Sequence, residues 1–266
     1  RSYYYYDWIV NEPQGSQLSV YTYTYDLVSN QGAYDLEYLV PLDSWSVSGC
    51  PAGYYNSGTS CSVVGAGYYS AASDDNRYLC AAGYYGSGTT NSVNTCNGAC
   101  TAGYYCPAGS VSATQNNCGN GNYCVAGVGS ATACPAGTYG STANLTTSAC
   151  TGQCSAGYYG SSTGLTAATC TAQCTAGYYC TAGSTSATQN ACGTGKYCPT
   201  GSSGTTNCAA GYYGSSTTNS VNTCNGGCSA GYYCIAGSTS ATQSACGADN
   251  LYRGSTASSC STCASG

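Results

Sequence analysis

Eight cysteines, Cys80, Cys96, Cys100, Cys106, Cys118, Cys124, Cys134 and Cys150, reappear 74 positions later as Cys154, Cys170, Cys174, Cys180, Cys192, Cys198, Cys208 and Cys224. A further shift of 54 carries Cys154, Cys170, Cys174, Cys180 and Cys192 onto Cys208, Cys224, Cys228, Cys234 and Cys246. A register held across so many cysteines predicts tandem modules stacked in one dimension. The two shifts differ by 20 residues, one whole module. A linear array tolerates such an insertion because each unit depends only on units close to it.

Composition points the same way. The 266 residues include 23 Cys and 38 Gly but no Phe and no Met, and Leu and Ile are sparse beyond the first 50 positions. A chain with so little aliphatic surface needs covalent staples to offset its conformational entropy. Cytosolic thiols are kept reduced, so the cysteine content predicts an oxidising, extracellular or cell-surface location. Structural zinc is disfavoured because His is absent and the one C-x2-C pair is Cys260 and Cys263. No metal or other cofactor is expected.

Residues 50–266 read as modules of about 16, 18 and 20 residues, forming an elongated rod of small disulfide-rich repeats with little regular secondary structure beyond short β. One module type runs C-x-A-G-Y-Y through a Ser/Thr/Gly loop and closes as C-x15-C. Its spacing predicts the simple loops Cys80–Cys96, Cys134–Cys150, Cys154–Cys170 and Cys208–Cys224, and Cys50–Cys61 closes the first unit. For the stretches that begin C-x5-C-x11-C we expect interlaced pairs: Cys100–Cys118 with Cys106–Cys124, Cys174–Cys192 with Cys180–Cys198, then Cys228–Cys246 and Cys234–Cys260. Cys263 is then left unpaired. It opens C-A-S-G, the start of a further module on a continuing chain, or else it bonds another molecule. A 15-residue disulfide loop contributes about 3 kcal/mol in the chain-entropy model. In the repeated A-G-Y-Y, glycine suits a tight turn. The two tyrosines that follow belong to an extended segment with rings on opposite faces, one packed on the array and one turned outward.

The strings C-P-A-G-Y-Y at Cys50, C-P-A-G-T-Y at Cys134 and C-S-A-G-Y-Y at Cys154 resemble ephrin-receptor-like cysteine-rich repeats and are similar to tumour-necrosis-factor-receptor-like modules. The resemblance covers residues 50 to 263 and implies extracellular rods with one or two disulfides per module. Such repeats occur in receptors, matrix proteins and protist surface proteins, including flagellar hairs and fibrils. The chain departs from the pattern at Val64, where an opening Cys is expected, and at Arg253, where Cys124 and Cys198 would align. Those two modules are therefore expected to be looser or differently paired.

Residues 1–49 differ in kind. They hold both tryptophans, no Cys and six of the nine acids. Leu18 to Val28 and Ala33 to Val40 alternate like β-strands around a Ser29–Gly32 turn, predicting a hairpin. Tyr21, Tyr23, Tyr25, Tyr34, Leu36 and Tyr38 are candidates for strand pairing with a neighbouring subunit. The rival account makes this segment the tail of a larger β domain.

Between Arg77 and Asp249 the only charged side chain is Lys196. No basic patch exists for a phosphate backbone, so nucleic acid is not an expected partner. No apolar run reaches the roughly 20 residues of a membrane span. General acid–base chemistry favours His or pairs of acids with tuned pKa values, and the repeats offer neither, so we expect no enzyme. Asp74, Asp75 and Arg77 read as a solvated loop or a weak cation contact. The sequon Asn144-Leu145-Thr146 predicts a glycan in a module loop, with O-glycans on the Ser/Thr-dense loops. The expected role is a structural subunit of an extracellular filament, fibril or surface coat that binds copies of itself. The alternative is a receptor-type or adhesive ectodomain binding a protein or glycan. A third reading is a tyrosine-rich coat cross-linked by oxidation.

Overall fold

A computed structural model of the chain describes residues 49–58, 60–247 and 256–260. The expected N-terminal hairpin with its six assembly residues, Arg253 and Cys263 lie outside the described residues.

The repeats are small, disulfide-rich and almost free of regular structure, as the sequence predicts. The described residues contain eleven two-stranded antiparallel sheets and no helix. Each sheet is one hairpin, and the hairpins reveal a single repeat beneath the apparent module types. Every unit opens with Cys50, Val64, Cys80, Cys100, Cys118, Cys134, Cys154, Cys174, Cys192, Cys208 or Cys228. Counting from that residue, a glycine stands at +3, the outgoing strand occupies +4 and +5 (running on to Asn56 in the first unit), and the return strand ends just before the next opening residue. Only the loop at the hairpin tip varies in length. The Cys100 unit shows the pattern: Tyr104–Tyr105 pairs with Asn116–Asn117, Tyr104 facing Asn117 and Tyr105 facing Asn116.

The +3 glycine makes the first turn. In the Cys100 unit Tyr104 N–H donates to Thr101 C=O at 3.1 Å, and Gly103 has φ +88°. Those features define a type II turn with its left-handed residue at the third position. The same glycine holds the array together. Its N–H donates to the carbonyl of residue +6 in the next unit (Gly53 to Ser70, Gly83 to Cys106, Gly157 to Cys180, Gly195 to Gly214), and its own carbonyl accepts from the next opening residue. Residue +6 then donates onward to a carbonyl in the following unit, as Cys106 does to Val128 and Cys180 to Ser202.

Among the described residues, every backbone hydrogen bond outside the hairpins joins residues of one unit or of consecutive units. The glycines also meet the unit beyond: a Cβ at Gly103 would stand 2.7 Å from Asn144 O, two units along. Spacing alone suggests nearest-neighbour contact, but the hairpins are thin enough for each to touch two successors. The result, among the described residues, is an unbranched rod without a globular core.

Sulfur fills the interior. Among the described residues, the buried apolar side chains are all half-cystines except Val64 and Ala257, and the buried polar ones are Ser70, Asn91, Ser110, Ser184, Asn219 and Ser238. Asn91 satisfies its amide by donating to Tyr68 O of the preceding unit and to Gly88 O. Asn219 repeats this with Lys196 O and Ser216 O. Buried polar groups in a dry interior need such partners.

Candidate functional site: the stapled column and its outer face

The disulfides fall into two geometries. Cys80–Cys96, Cys134–Cys150, Cys154–Cys170 and Cys208–Cys224 join residues 16 apart, and Cys50–Cys61 closes the first unit; these are the pairs expected from spacing. The interlaced pattern is overturned. Cys100 joins Cys106 rather than Cys118, and Cys118 joins Cys124 rather than leaving Cys124 to Cys106. Likewise Cys174 joins Cys180 and Cys192 joins Cys198, in place of Cys174–Cys192 and Cys180–Cys198. Cys228 joins Cys234 and Cys246 joins Cys260, in place of Cys228–Cys246 and Cys234–Cys260.

The reason is the turn. After the opening residue the chain reverses at +3, and residue +6 comes back beside its starting point, with a Cys100–Cys106 Cα separation of 6.1 Å. Disulfides ordinarily span such a distance. Interlacing would instead have linked the openings of successive units. A side-chain complementarity confirms the proximity. Where the opening Cys bonds a residue 16 away, position +6 is glycine. A Cβ there would press on the opening sulfur, 2.6 Å from Cys80 Sγ at Gly86 and 2.7 Å from Cys154 Sγ at Gly160. From the Cys80 unit to the Cys228 unit, position +6 therefore holds either the second sulfur or a glycine that leaves room for a sulfur arriving from 16 residues away. Eleven intramolecular disulfides require an oxidising environment for the folded chain.

The Val64 unit has no disulfide. Val64 and Ser70 occupy the opening and +6 positions, and both are fully buried. Two small side chains stand where a cystine stands elsewhere, so the unit is sealed without being stapled. Arg77 reinforces it: its guanidinium lies 4.7 Å from the centre of the Tyr55 ring and 4.6 Å from that of Tyr68, and Nη1 donates to Val64 O at 3.3 Å. One cation thus bridges two consecutive hairpins. Asp75 Oδ1 accepts from Gly49 N–H at 3.0 Å, and Asp74 Oδ1 accepts from Asn76 N–H at 2.9 Å. The charged loop therefore ties the Cys50 unit to the Val64 unit.

On the outer face, both tyrosines of each pair are half-buried, so neither ring projects freely as the alternation had suggested. The Ser/Thr loops repeat their internal bonding as well as their sequence. Val111, Thr185 and Thr239 each donate N–H to the amide oxygen of the glutamine four residues on, Gln115, Gln189 and Gln243. Asn144 is exposed in its loop, and its Nδ2 donates to Tyr104 OH at 3.3 Å. Sequence reasoning missed the +6 column, although its alternation of Cys and Gly was readable.

Among the described residues no cluster of three or more His, Cys, Asp or Glu side chains could hold a metal ion, and no helix is long and apolar enough to cross a membrane. The described surface presents hydroxyls, amides and phenols, together with exposed aliphatic side chains such as Val93, Val221 and Ile235, on a covalently locked array suited to packing and hydrogen bonding. No family model matches this chain, and no curated protein is significantly similar to it.

Proposed function

We propose that the chain is a structural subunit of an extracellular filament, fibril or surface coat, with residues 50–266 as a stiff spacer and residues 1–49 as the segment that joins copies of it. It performs no catalysis on this reading. One observation supports it above the rest: between Arg77 and Asp249 near-copies of the same loops recur along the chain with Lys196 as the only charged side chain. A free soluble surface ordinarily mixes charges of both signs. A repeated neutral surface suits contacts made many times over by identical neighbours, where a receptor site needs one irregular patch. Asn144 carries an N-linked glycan on this reading, projecting from its exposed loop.

Negative-stain microscopy of native material tests the assembly, and fibrils or a lattice are the expected result. Dispersed monomers that capture a protein or glycan ligand would support the receptor-type or adhesive alternative. For the glycan, Asn144→Gln should abolish the mobility shift produced by an N-glycosidase.

A further inference from the structure

Position +5 is tyrosine in all eleven hairpins. The residue facing it across the hairpin is small or polar in ten of them, for example Ser62, Gly98, Asn116 and Ala172. In the Val64 unit it is a second tyrosine: Tyr69 faces Tyr78. Their ring centres are 5.7 Å apart with planes inclined by 37°, the one aromatic pair among the described residues. This unit is also the one fully described hairpin that opens without a cysteine.

We propose that Tyr69 and Tyr78 form a site of oxidative coupling, joined as dityrosine to give this unit the covalent staple that its sulfur positions lack. The oxidant is a peroxide acting through a peroxidase. Each phenol loses one electron and one proton, and the two phenoxyl radicals form a carbon–carbon bond between ring positions ortho to the oxygens. The ortho hydrogens then move to oxygen as protons, restoring both phenols. In sum, two phenols lose two hydrogens and one hydrogen peroxide becomes two waters.

Geometry favours this pair over other tyrosines. Tyr78 is 45% exposed, so its electron is accessible to the oxidant. Tyr69 faces it on a paired strand, so the second radical forms within reach and side-chain motion closes the remaining gap. Tyr55 and Tyr68 lie beneath the Arg77 cation, which disfavours removing an electron from either ring. The inference is independent of the filament reading.

The test treats the full-length chain, dilute enough to suppress coupling between molecules, with a plant peroxidase and hydrogen peroxide. Peptide mapping of the monomer fraction follows. The expected product is a peptide spanning Tyr69 and Tyr78, two hydrogens lighter and internally linked, formed several-fold faster than any other intramolecular pair. Tyr78→Phe should remove it with the disulfide map unchanged, and Tyr85→Phe should leave it intact. Recovery of Tyr69 and Tyr78 unlinked while other tyrosines couple would overturn the proposal. So would unchanged intramolecular dityrosine fluorescence in Tyr78→Phe. If Tyr78→Phe alters the disulfide map, the wild-type peptide map decides alone.

Discussion

Two glycines with nearly the same backbone angle separate the two reasons a glycine is needed here. Gly177 has φ +89° and a Cβ there would stand 2.5 Å from Thr218 O, whereas Gly193 has φ +85° and open space around it. Gly193→Ala should cost only the left-handed penalty, roughly 1–2 kcal/mol. Gly177→Ala adds displacement of a backbone carbonyl two units away and should cost about 3 kcal/mol or more. Amide exchange distinguishes them. In Gly177→Ala the amides at position 177 and Cys192, which bond Cys198 O and Gly177 O in the native chain, should lose protection, while Gly193→Ala leaves both slow. Arg77 acts at the same scale through its two ring contacts. Arg77→Ala should lower local stability by about 1–2 kcal/mol, with the loss confined to the Cys50 and Val64 units.

The single hairpin unit accepts four solutions at one interior site: a sulfur from +6, a glycine that admits a sulfur from +16, the Cys61 sulfur from +11 in the first unit, or the Val64–Ser70 pair. If these solutions are equivalent, Val64→Cys with Ser70→Cys should create one more disulfide and no additional free thiols, stabilising by about 2 kcal/mol. Two extra titratable thiols would show that the Val64 unit has a different geometry. Much of this element could be seen in the sequence. The cysteine register announced tandem repeats, the A-G-Y-Y string announced a turn followed by a strand, and C-x15-C announced its own loop. What stayed hidden was that C-x5-C is also a closed unit. Spacing does not reveal that the chain doubles back at Gly103; only the turn places Cys106 beside Cys100. The glycines at +6 carried the missing information, since Gly86, Gly140, Gly160 and Gly214 occur where a cysteine 16 residues away is available. The exposed position of Asn144 could be anticipated from its sequon, but its bond to Tyr104, 40 residues earlier, follows from next-but-one stacking that no local pattern encodes.

In the whole molecule, the joints are made by backbone atoms and repeat from unit to unit. Removing residues 154–173, one complete unit, should therefore leave a folded rod shorter by one hairpin and lacking one disulfide. Gly137 N–H would then meet Cys180 O in place of Gly160 O. Removing residues 154–163 alone should abolish folding, and secreted yield with a non-reducing peptide map checks both. The sulfurs are also unequally accessible along the rod. Cys96, Cys150, Cys170 and Cys224 are half-buried, whereas Cys106, Cys180 and Cys234 are sealed. Limited phosphine reduction should open the 16-residue loops first, as differential alkylation would show. The same two loop sizes govern how the rod responds to a pull. In the Cys154 unit the disulfide shortcut leaves only the residues from Cys170 to Cys174 free to straighten, about 17 Å end to end. In the Cys100 unit the stretch from Cys106 to Cys118 is free, and the travel rises to about 45 Å. Loaded along its axis, the stapled array is a strap in which inelastic links are interspersed among extensible ones, with its maximum give written into the order of its staples.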